Sequence, residues 1–144
     1  MNKKFLIKSK IFFKLYLFYL GIRYRFFLKK KTYSQFGEDL VIDKYFGNCI
    51  GTYVDIGCFH PIKYSNTVLL NKKGWSGVNI DLNETSTKLF NACRKKDTNI
   101  TACLSDKKEY ITVYIDSEFS ALNSMYLENS KKFKFKDLKK KIIK

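Results

Sequence analysis

Two acidic residues stand at or near the ends of short apolar runs, where their carboxylates could bind a ligand. The run "YVDIG" (53–57) contains Asp55 and ends in Gly57, and "GVNID" (77–81) ends in Asp81. In an open α/β sheet, ligands bind beyond the carboxyl ends of the parallel strands. An acid at the end of the second strand, about 24 residues after the glycine, suits a carboxylate that accepts hydrogen bonds from the ribose hydroxyls of adenosine.

The turn after the first run discriminates between adenosine ligands. A dinucleotide site needs G-x-G-x-x-G, whose glycines let backbone amides approach a pyrophosphate. Here Gly57 stands alone, and Phe59 occupies the position of the second glycine. Asp55 adds negative charge, which disfavours a pyrophosphate and favours an ammonium group. The pattern therefore favours S-adenosylmethionine, which joins adenosine to an amino acid, over the cofactor of an NAD-type oxidoreductase.

Strands and helices alternate around these acids. We expect a helix within 32–46 with Ser34 as its N-cap, a second at 65–74 capped by Ser65 or Asn66, and a third at 83–96 capped near Asn83 or Thr85. Strands are expected at 52–57, which should be buried, and at 76–81, 99–105 and 109–117, with the fourth paired close to the third. This order predicts an α/β fold with a parallel sheet. The tail at 131–144 is expected to be a frayed helix or disordered.

The charge is concentrated at the two ends of the chain. Residues 1–31 contain ten lysines and arginines and no acid, and residues 130–144 contain eight lysines and one aspartate. The region between them has ten basic and twelve acidic residues. A central region without a basic surplus argues against nucleic-acid binding. The basic ends reflect either coding DNA rich in A and T or selection for an anionic partner.

The first 31 residues form a separate basic and aromatic region. Their apolar core, "IFFKLYLFYLGI", is twelve residues long, whereas a spanning helix needs about 20. A helix with aromatic residues on one side and lysine and arginine beside them can lie in a membrane interface. We therefore expect contact with an anionic membrane through residues 3–31, at the inner face of the membrane in the cytoplasm. The alternatives are a helix that packs on its own domain or on a partner, and a true span.

Metal and nucleophilic chemistry find little support in the sequence. The four cysteines form no C-x-x-C pair, and His60 is the single histidine, so we expect reduced cysteines and no metal. His60 could act as a general base, but a histidine beside a proline in a turn is also explained by hydrogen bonding. Cys58 is expected to be a small side chain that fits beside the glycine, and Trp75 a packing anchor.

Several segments, in order, resemble the FkbM family of S-adenosylmethionine-dependent methyltransferases. These are "SQFGED" (34–39), "YVDIGCFHPIKYSNTVLL" (53–70), "KGWSGVNIDLN" (73–83) and "SALNS" (120–124). The resemblance covers residues 32–125 and implies a Rossmann-like class I methyltransferase sheet. It also implies methyl transfer to a hydroxyl oxygen of a carbohydrate or another small metabolite.

The resemblance assigns cofactor-binding residues but no catalytic base. Asp55 and Gly57 match the first cofactor motif, and Asp81 matches the acid that holds the ribose. The other matching positions lie near the cofactor in the family or, for the last, near the adenine by topology: Gln35, Glu38, Asn66 and Ser105.

One part of the family pattern has no counterpart in this chain. The family continues after "SALNS" with a strand carrying Asp-x-Glu-Gly, whereas residues 126–144 are a lysine-rich tail. The expected organisation is thus a basic helix (1–31), the N-terminal part of a methyltransferase domain with about four strands (32–125), and the tail. The alternative is a non-catalytic remnant that binds a membrane or a partner protein.

Overall fold

The computed structural model describes residues 9–106, 110–115 and 139–143, which fall into two compact units, Met1–Thr101 and Ala102–Lys144. The described helices are α1 (Lys10–Ile22), which continues into a π-helical turn (Arg23–Phe27), α2 (Glu38–Phe46), α3 (Val68–Lys72) and α4 (Glu84–Cys93). The described strands are β1 (Thr52–Ile56), β2 (Ser76–Asp81), β3 (Thr98–Thr101), β4 (Ile111–Ile115) and β5 (Lys139–Ile143).

The first unit is an α/β structure built on a three-stranded parallel sheet in the order β1-β2-β3. Thr52 pairs with Ser76 at one end of the β1–β2 ladder, and Ile56 pairs with Ile80 at the other. Helix α3 connects β1 to β2, and α4 connects β2 to β3. The predicted α/β class and parallel sheet are confirmed. Strand β3 ends at Thr101 rather than at 105, because Thr101 pairs with Asp81, the last residue of β2.

Two helices begin later than the sequence predicts. Helix α2 has Gly37 as its N-cap, although the predicted cap, Ser34, still accepts hydrogen bonds through Oγ from the amides of Gly37 (2.9 Å) and Asp39 (3.4 Å). Helix α3 begins at Val68, because the backbone of its N-cap residue, Thr67, is not helical (φ −108°, ψ 2°).

The third helix begins where the sequence predicts. The Oδ1 atom of Asn83 accepts a hydrogen bond from the Thr85 amide at 3.0 Å, which satisfies a donor in the first turn of α4. The N-cap of α4 is therefore confirmed as Asn83.

The two faces of the sheet have opposite chemistry. Side chains alternate between faces along a strand, and the register aligns like with like. The polar face carries Tyr53, Asp55, Asn79, Asp81, Asn99 and Thr101, together with Gly77. The apolar face carries Val54, Ile56, Val78, Ile80 and Ile100, with Thr52, Ser76 and Thr98 at the strand starts.

The helices contact the polar face rather than the apolar one. Thr67, the N-cap of α3, donates to Asp55, and Thr87 of α4 hydrogen-bonds Thr101 at 2.7 Å. On the apolar face, Val54 is 63% exposed and Ile56 is 65% exposed. The prediction that strand 52–57 is buried is therefore wrong for its apolar side chains.

The second unit contains a two-stranded antiparallel sheet. Strand β4 pairs with β5, with Ile111 opposite Ile143 and Ile115 opposite Lys139. The predicted pairing of the fourth strand with the third is wrong, and so is a helical or disordered tail at residues 139–143. The sequence of β5 is KKKII, which does not alternate between polar and apolar residues, so pairing with β4 rather than local pattern defines the strand.

Helix α1 packs on its own unit. A Cβ atom added at Gly21 would lie 2.7 Å from the carbonyl oxygen of Ala92 in α4, so only glycine permits this close approach. Leu20, Tyr24 and Leu28 are buried. The helix–domain packing that the sequence left as an alternative is therefore present. Among the described residues, no helix has both the length and the apolar character needed to cross a membrane.

Candidate functional site at the carboxyl ends of the first two strands

The turn after β1 is held against β2 by backbone hydrogen bonds. The Gly57 amide donates to the carbonyl of Ile80 at 2.8 Å, and the Cys58 amide donates to the same oxygen at 3.3 Å. Gly57 has φ of +72°, which favours glycine, and apart from its chain neighbours no residue has an atom within 4 Å of where its Cβ would be. The backbone conformation therefore favours glycine at this position, and the space beside it is open.

Asp81 joins the ends of the two strands. Its Oδ2 atom accepts a hydrogen bond from the Phe59 amide at 2.8 Å, and its Oδ1 atom accepts one from the Asn83 amide at 2.8 Å. Burial raises the pKa of this carboxyl, although the hydrogen bonds from Asn83, Phe59 and Ser86 oppose the shift. Phe59, at the position of the missing second glycine, has a positive φ of 52° that directs its amide.

Asp55 lies on the neighbouring strand. Its Oδ2 atom accepts a hydrogen bond from the Thr67 hydroxyl at 2.9 Å. Burial raises the pKa of this carboxyl, the Thr67 hydrogen bond and the Arg94 charge lower it, and the negative charge of Asp81 raises it again. The two strand-end acids and Gly57 are thus brought to one edge of the sheet, as the sequence predicts.

Arg94, which was not predicted from the sequence, stabilises this edge of the sheet through buried hydrogen bonds. It caps the C-terminus of α4 and is 2% exposed. Its Nη1 atom donates to Thr67 Oγ1 at 2.6 Å and to the Tyr53 hydroxyl at 3.2 Å. Its Nη2 atom donates to the Pro61 carbonyl at 3.0 Å and to Ser65 Oγ at 2.9 Å. One buried guanidinium therefore fixes the segment that follows Gly57.

A second missed residue, Asp97, completes the network on the polar face. Its carboxylate accepts hydrogen bonds from the Tyr53 hydroxyl and from Asn79 Nδ2, the latter at 3.0 Å. It also accepts from the Gly77 amide at 3.2 Å. Burial raises the pKa of the Tyr53 hydroxyl, so Tyr53 stays protonated and donates to Asp97. In the sequence, Arg94 lay within the predicted helix 83–96 and Asp97 directly after it, so no local pattern distinguished either residue from other charged side chains.

The "SQFGED" segment is connected to the turn through Tyr33, the residue that precedes it. The Ser65 amide donates to the Tyr33 carbonyl at 3.1 Å, which ties the segment to the turn. Asp39 is buried, and its carboxylate accepts from Thr32 Oγ1 (2.6 Å), the Tyr33 amide (2.7 Å) and Ser34 Oγ (2.7 Å). Burial raises the pKa of Asp39, but these hydrogen bonds outweigh it and lower the pKa overall.

The residues of this segment that the resemblance places near the cofactor are Gln35 and Glu38. Gln35 is exposed. Glu38 accepts a hydrogen bond from the Phe36 amide at 2.8 Å, and backbone hydrogen bonds lower its pKa. Asp39, rather than Glu38, is the buried acid of the motif, and its role is to hold the segment together.

The two remaining predicted residues, Asn66 and Ser105, lie in different units. Asn66 is exposed on the turn before α3. Ser105 lies four residues after the end of β3, in the second unit, where its hydroxyl donates to Asp106 Oδ1 at 3.2 Å. The segment "SALNS" lies outside the described residues.

Three further side chains that the sequence singled out are His60 and Cys58 in the turn and Trp75 after α3. His60 Nδ1 accepts hydrogen bonds from the amides of Ile62 (3.0 Å) and Lys63 (3.2 Å) and so stabilises the turn. Burial, with Asp81 and Asp55 nearby, raises the pKa of the Cys58 thiol, which keeps it protonated at neutral pH. Trp75 is buried, lies 5.0 Å from the Phe46 ring and donates through Nε1 to the Cys49 carbonyl at 2.7 Å, which confirms it as a packing anchor.

The site therefore combines two partly buried carboxylates with an open glycine turn. Such an arrangement can accept hydroxyl hydrogen bonds and attract a cationic group. Within the described ranges, no group of three or more His, Cys, Asp and Glu side chains is placed to bind a metal ion. No protein-family model matches the chain, and no curated protein or solved structure matches it at a significant level.

Proposed function

We propose that the parallel-sheet unit binds S-adenosylmethionine and serves a methyltransferase of the FkbM type, with a hydroxyl of a carbohydrate or small metabolite as acceptor. A Rossmann-like class I sheet is part of this proposal. The observation that carries it is the pair of carboxylates, Asp55 and Asp81, at the carboxyl ends of adjacent parallel strands beside a single-glycine turn. An open α/β sheet binds its ligands at this edge.

Asp81 is suited to hold a ribose. The amides of Phe59 and Asn83 orient its two oxygens at the end of β2. A carboxylate offers about four acceptor sites, so these bonds and the one from Ser86 leave capacity for a ribose hydroxyl. Gly57 leaves the adjoining space free of side-chain atoms.

Asp55 is suited to the cationic end of the same ligand. Burial disfavours its charged form, and so does the charge of Asp81. A cationic group on the ligand would offset both effects, because opposite charge favours an ionised carboxylate. The carboxylates therefore fit a ligand with hydroxyls at one end and positive charge at the other better than they fit a pyrophosphate.

When bound, S-adenosylmethionine supplies a methyl group activated by its sulfonium. The residues of this chain would bind and orient the ligand, which is the larger part of catalysis for an in-line displacement. Arg94 holds the turn that carries the site, through Pro61 and Ser65. A cytoplasmic location is also part of the proposal, since all four cysteines, which lie in described segments, are free thiols.

Calorimetric titration of the full chain with S-adenosylhomocysteine tests the proposal. We expect saturable binding that Asp81→Ala weakens at least tenfold, about 1.4 kcal/mol. The matched control is Asp43→Ala, which removes an aspartate that pairs with Lys73 at 2.6 Å, between α2 and the end of α3. This variant should bind as tightly as the parent chain.

The possible results separate three functions. Absence of binding by a chain that circular dichroism shows to be folded would overturn the proposal and favour the non-catalytic interaction protein. Tighter binding of NAD than of S-adenosylhomocysteine would favour an oxidoreductase. Equal losses for Asp81→Ala and Asp43→Ala would show that the carboxylate of Asp81 has no specific role.

A further inference from the structure

Helix α1 is apolar on two opposite faces. One face carries Leu20 and Gly21 and packs on α4, where the Cys93 thiol also approaches the Leu20 carbonyl at 3.9 Å. The other face is exposed, with Ile11 at 71% and Phe18 at 70%. A surface helix normally has one apolar face and one polar face. The exposed face is therefore a second apolar surface on the same helix.

The exposed residues form one continuous stripe. They recur at intervals of three and four residues, the spacing of a single helix face. The outer stripe consists of Ile11, Phe12, Leu15, Phe18, Tyr19 and Ile22 of α1 and Phe26 of the π-helical turn. At about 1.5 Å per residue it is roughly 22 Å long, and it is rich in aromatic rings.

Basic side chains flank this stripe. Lys14 and Arg23 are exposed beside it, and the Arg25 guanidinium lies 5.3 Å from the Phe26 ring centre. The sequence from 1 to 31 contains ten basic residues and no acid. Long basic side chains can keep their charge at a polar surface while their stems cover an apolar one. Exposed apolar side chains and positive charges therefore lie next to each other on this helical segment.

We propose that the outer stripe of α1 inserts into the interface of an anionic lipid bilayer, with the helix lying in the membrane plane and α4 on its opposite side. Apolar burial supplies one part of the affinity, and attraction of the flanking lysines and arginines to anionic headgroups supplies the other. This arrangement holds the parallel-sheet unit at a membrane surface without a spanning helix. It is independent of the cofactor site.

Charge decides between a bilayer and a second copy of this chain. A dimer through the outer stripe would bring Lys14, Arg23 and Arg25 of one copy towards the same residues of the other. Segment 1–31 contains no acid to neutralise them, and like charges in contact are unfavourable. An anionic bilayer offers opposite charge over the whole length of the helix.

Vesicle binding by the full chain tests this inference. The vesicles contain phosphatidylcholine with 30% phosphatidylglycerol, or phosphatidylcholine alone, at two salt concentrations. We expect at least tenfold tighter binding to the anionic vesicles, weakened by salt. Leu15→Gln/Phe18→Gln should weaken that binding at least tenfold. The matched control, Val41→Gln/Tyr45→Gln, changes two exposed apolar residues one turn apart on α2 and should alter binding less than twofold.

A single substitution provides an independent measurement in case the double variant does not fold. Phe18→Trp should show a blue-shifted emission with anionic vesicles, quenched by brominated lipid, whereas Phe36→Trp should show neither. Binding that is unchanged in Leu15→Gln/Phe18→Gln would overturn the inference, because the basic ends would then act by charge alone. Absence of vesicle binding, or a dimer in light scattering that this variant disperses, would also overturn it.

Discussion

The two faces of the parallel sheet differ in a way that reverses the usual arrangement. On the polar face, Asn79 is fully buried beneath the helices and hydrogen-bonded to Asn99 at 2.8 Å. On the apolar face, Val54 and Ile56 are exposed. Apolar burial is normally the main favourable term in folding. Here the helices cover carboxylates and amides. Most of these polar groups hydrogen-bond to one another, although Asn79 Oδ1 and Arg94 Nε are buried without a partner.

The site and the polar face of the sheet depend on the same buried side chains. Arg94 and Asp97 hold the polar face together, and Arg94 also holds the turn after Gly57. A buried polar network is stabilising only while its members are satisfied. Parallel sheets are usually covered on both faces. The apolar face is therefore a surface on which further structure would pack, and the polar face is where single substitutions should be most costly.

Removal of the buried guanidinium should have the largest effect. Arg94→Met leaves Thr67, Ser65 and the Pro61 carbonyl without their donor, and we expect a loss of about 3 kcal/mol or more in the free energy of unfolding. Urea denaturation followed by circular dichroism measures it. Arg25→Met, at an exposed arginine, is the control and should change stability by less than about 0.5 kcal/mol. A loss below about 1 kcal/mol in Arg94→Met would contradict the role assigned to the network.

A single amide at the centre of the polar face should have an intermediate effect. Asn79 Nδ2 donates to Asp97 Oδ2 and Asn99 Oδ1, so Asn79→Ala leaves both acceptors with one donor fewer. We expect a loss of about 1–3 kcal/mol, measured by the same denaturation. Val54→Ala, on the exposed face of the adjacent strand, is the comparison and should cost less than about 0.5 kcal/mol. Equal costs would remove the distinction between the faces.

The raised pKa of Asp55 predicts a pH dependence with a definite sign. The folded state binds this proton more tightly than the unfolded state does, so stability contributed by Asp55 is present at low pH and is lost as pH rises through the folded pKa. Asp55→Asn keeps an acceptor for Thr67 and removes the titration. Between pH 4 and 7 its stability should therefore fall less with rising pH than that of the parent chain.

Asp39 is the control, because its pKa is shifted in the opposite direction to that of Asp55. Its pKa is lowered overall, so its contribution is present at neutral pH and is lost as pH falls through the folded pKa. Asp39→Asn should therefore lose stability at neutral pH relative to acid pH. Denaturant midpoints across the same pH range measure both variants. A parallel response of the two variants would contradict the opposite environments of these carboxylates.

Polar substitution on the apolar face should have the smallest effect on stability and a visible effect on association. In Val54→Thr/Ile56→Thr the side chains stay β-branched, which suits a strand, so we expect a change below about 0.5 kcal/mol. Exposed apolar surface promotes association, so the concentration at which the chain aggregates should rise. Light scattering measures this. A large loss of stability would show that the face is covered in solution.

The cap of α4 and the glycine turn could be predicted from the sequence because each depends on residues close together in the chain. Asn83 caps α4 through an amide two residues away, and Gly57 suits a position where φ is positive. The acids at the strand ends follow from the alternation of strands and helices, since parallel strands place their carboxyl ends at one edge. Helix starts at Ser34 and Ser65 were predicted too early, because Ser34 hydrogen-bonds before α2 begins and Ser65 bonds to Arg94.

The sequence by itself determined the order of strands and helices in the first unit, the glycine turn with its two acids, and the basic aromatic character of the first 31 residues. Only the tertiary structure decided which face of the sheet is covered, which residue supports the turn, and that β4 pairs with β5. The physical reason is distance along the chain. Arg94 meets Pro61 across 33 residues, and no local pattern specifies which of two alternating faces a helix will cover.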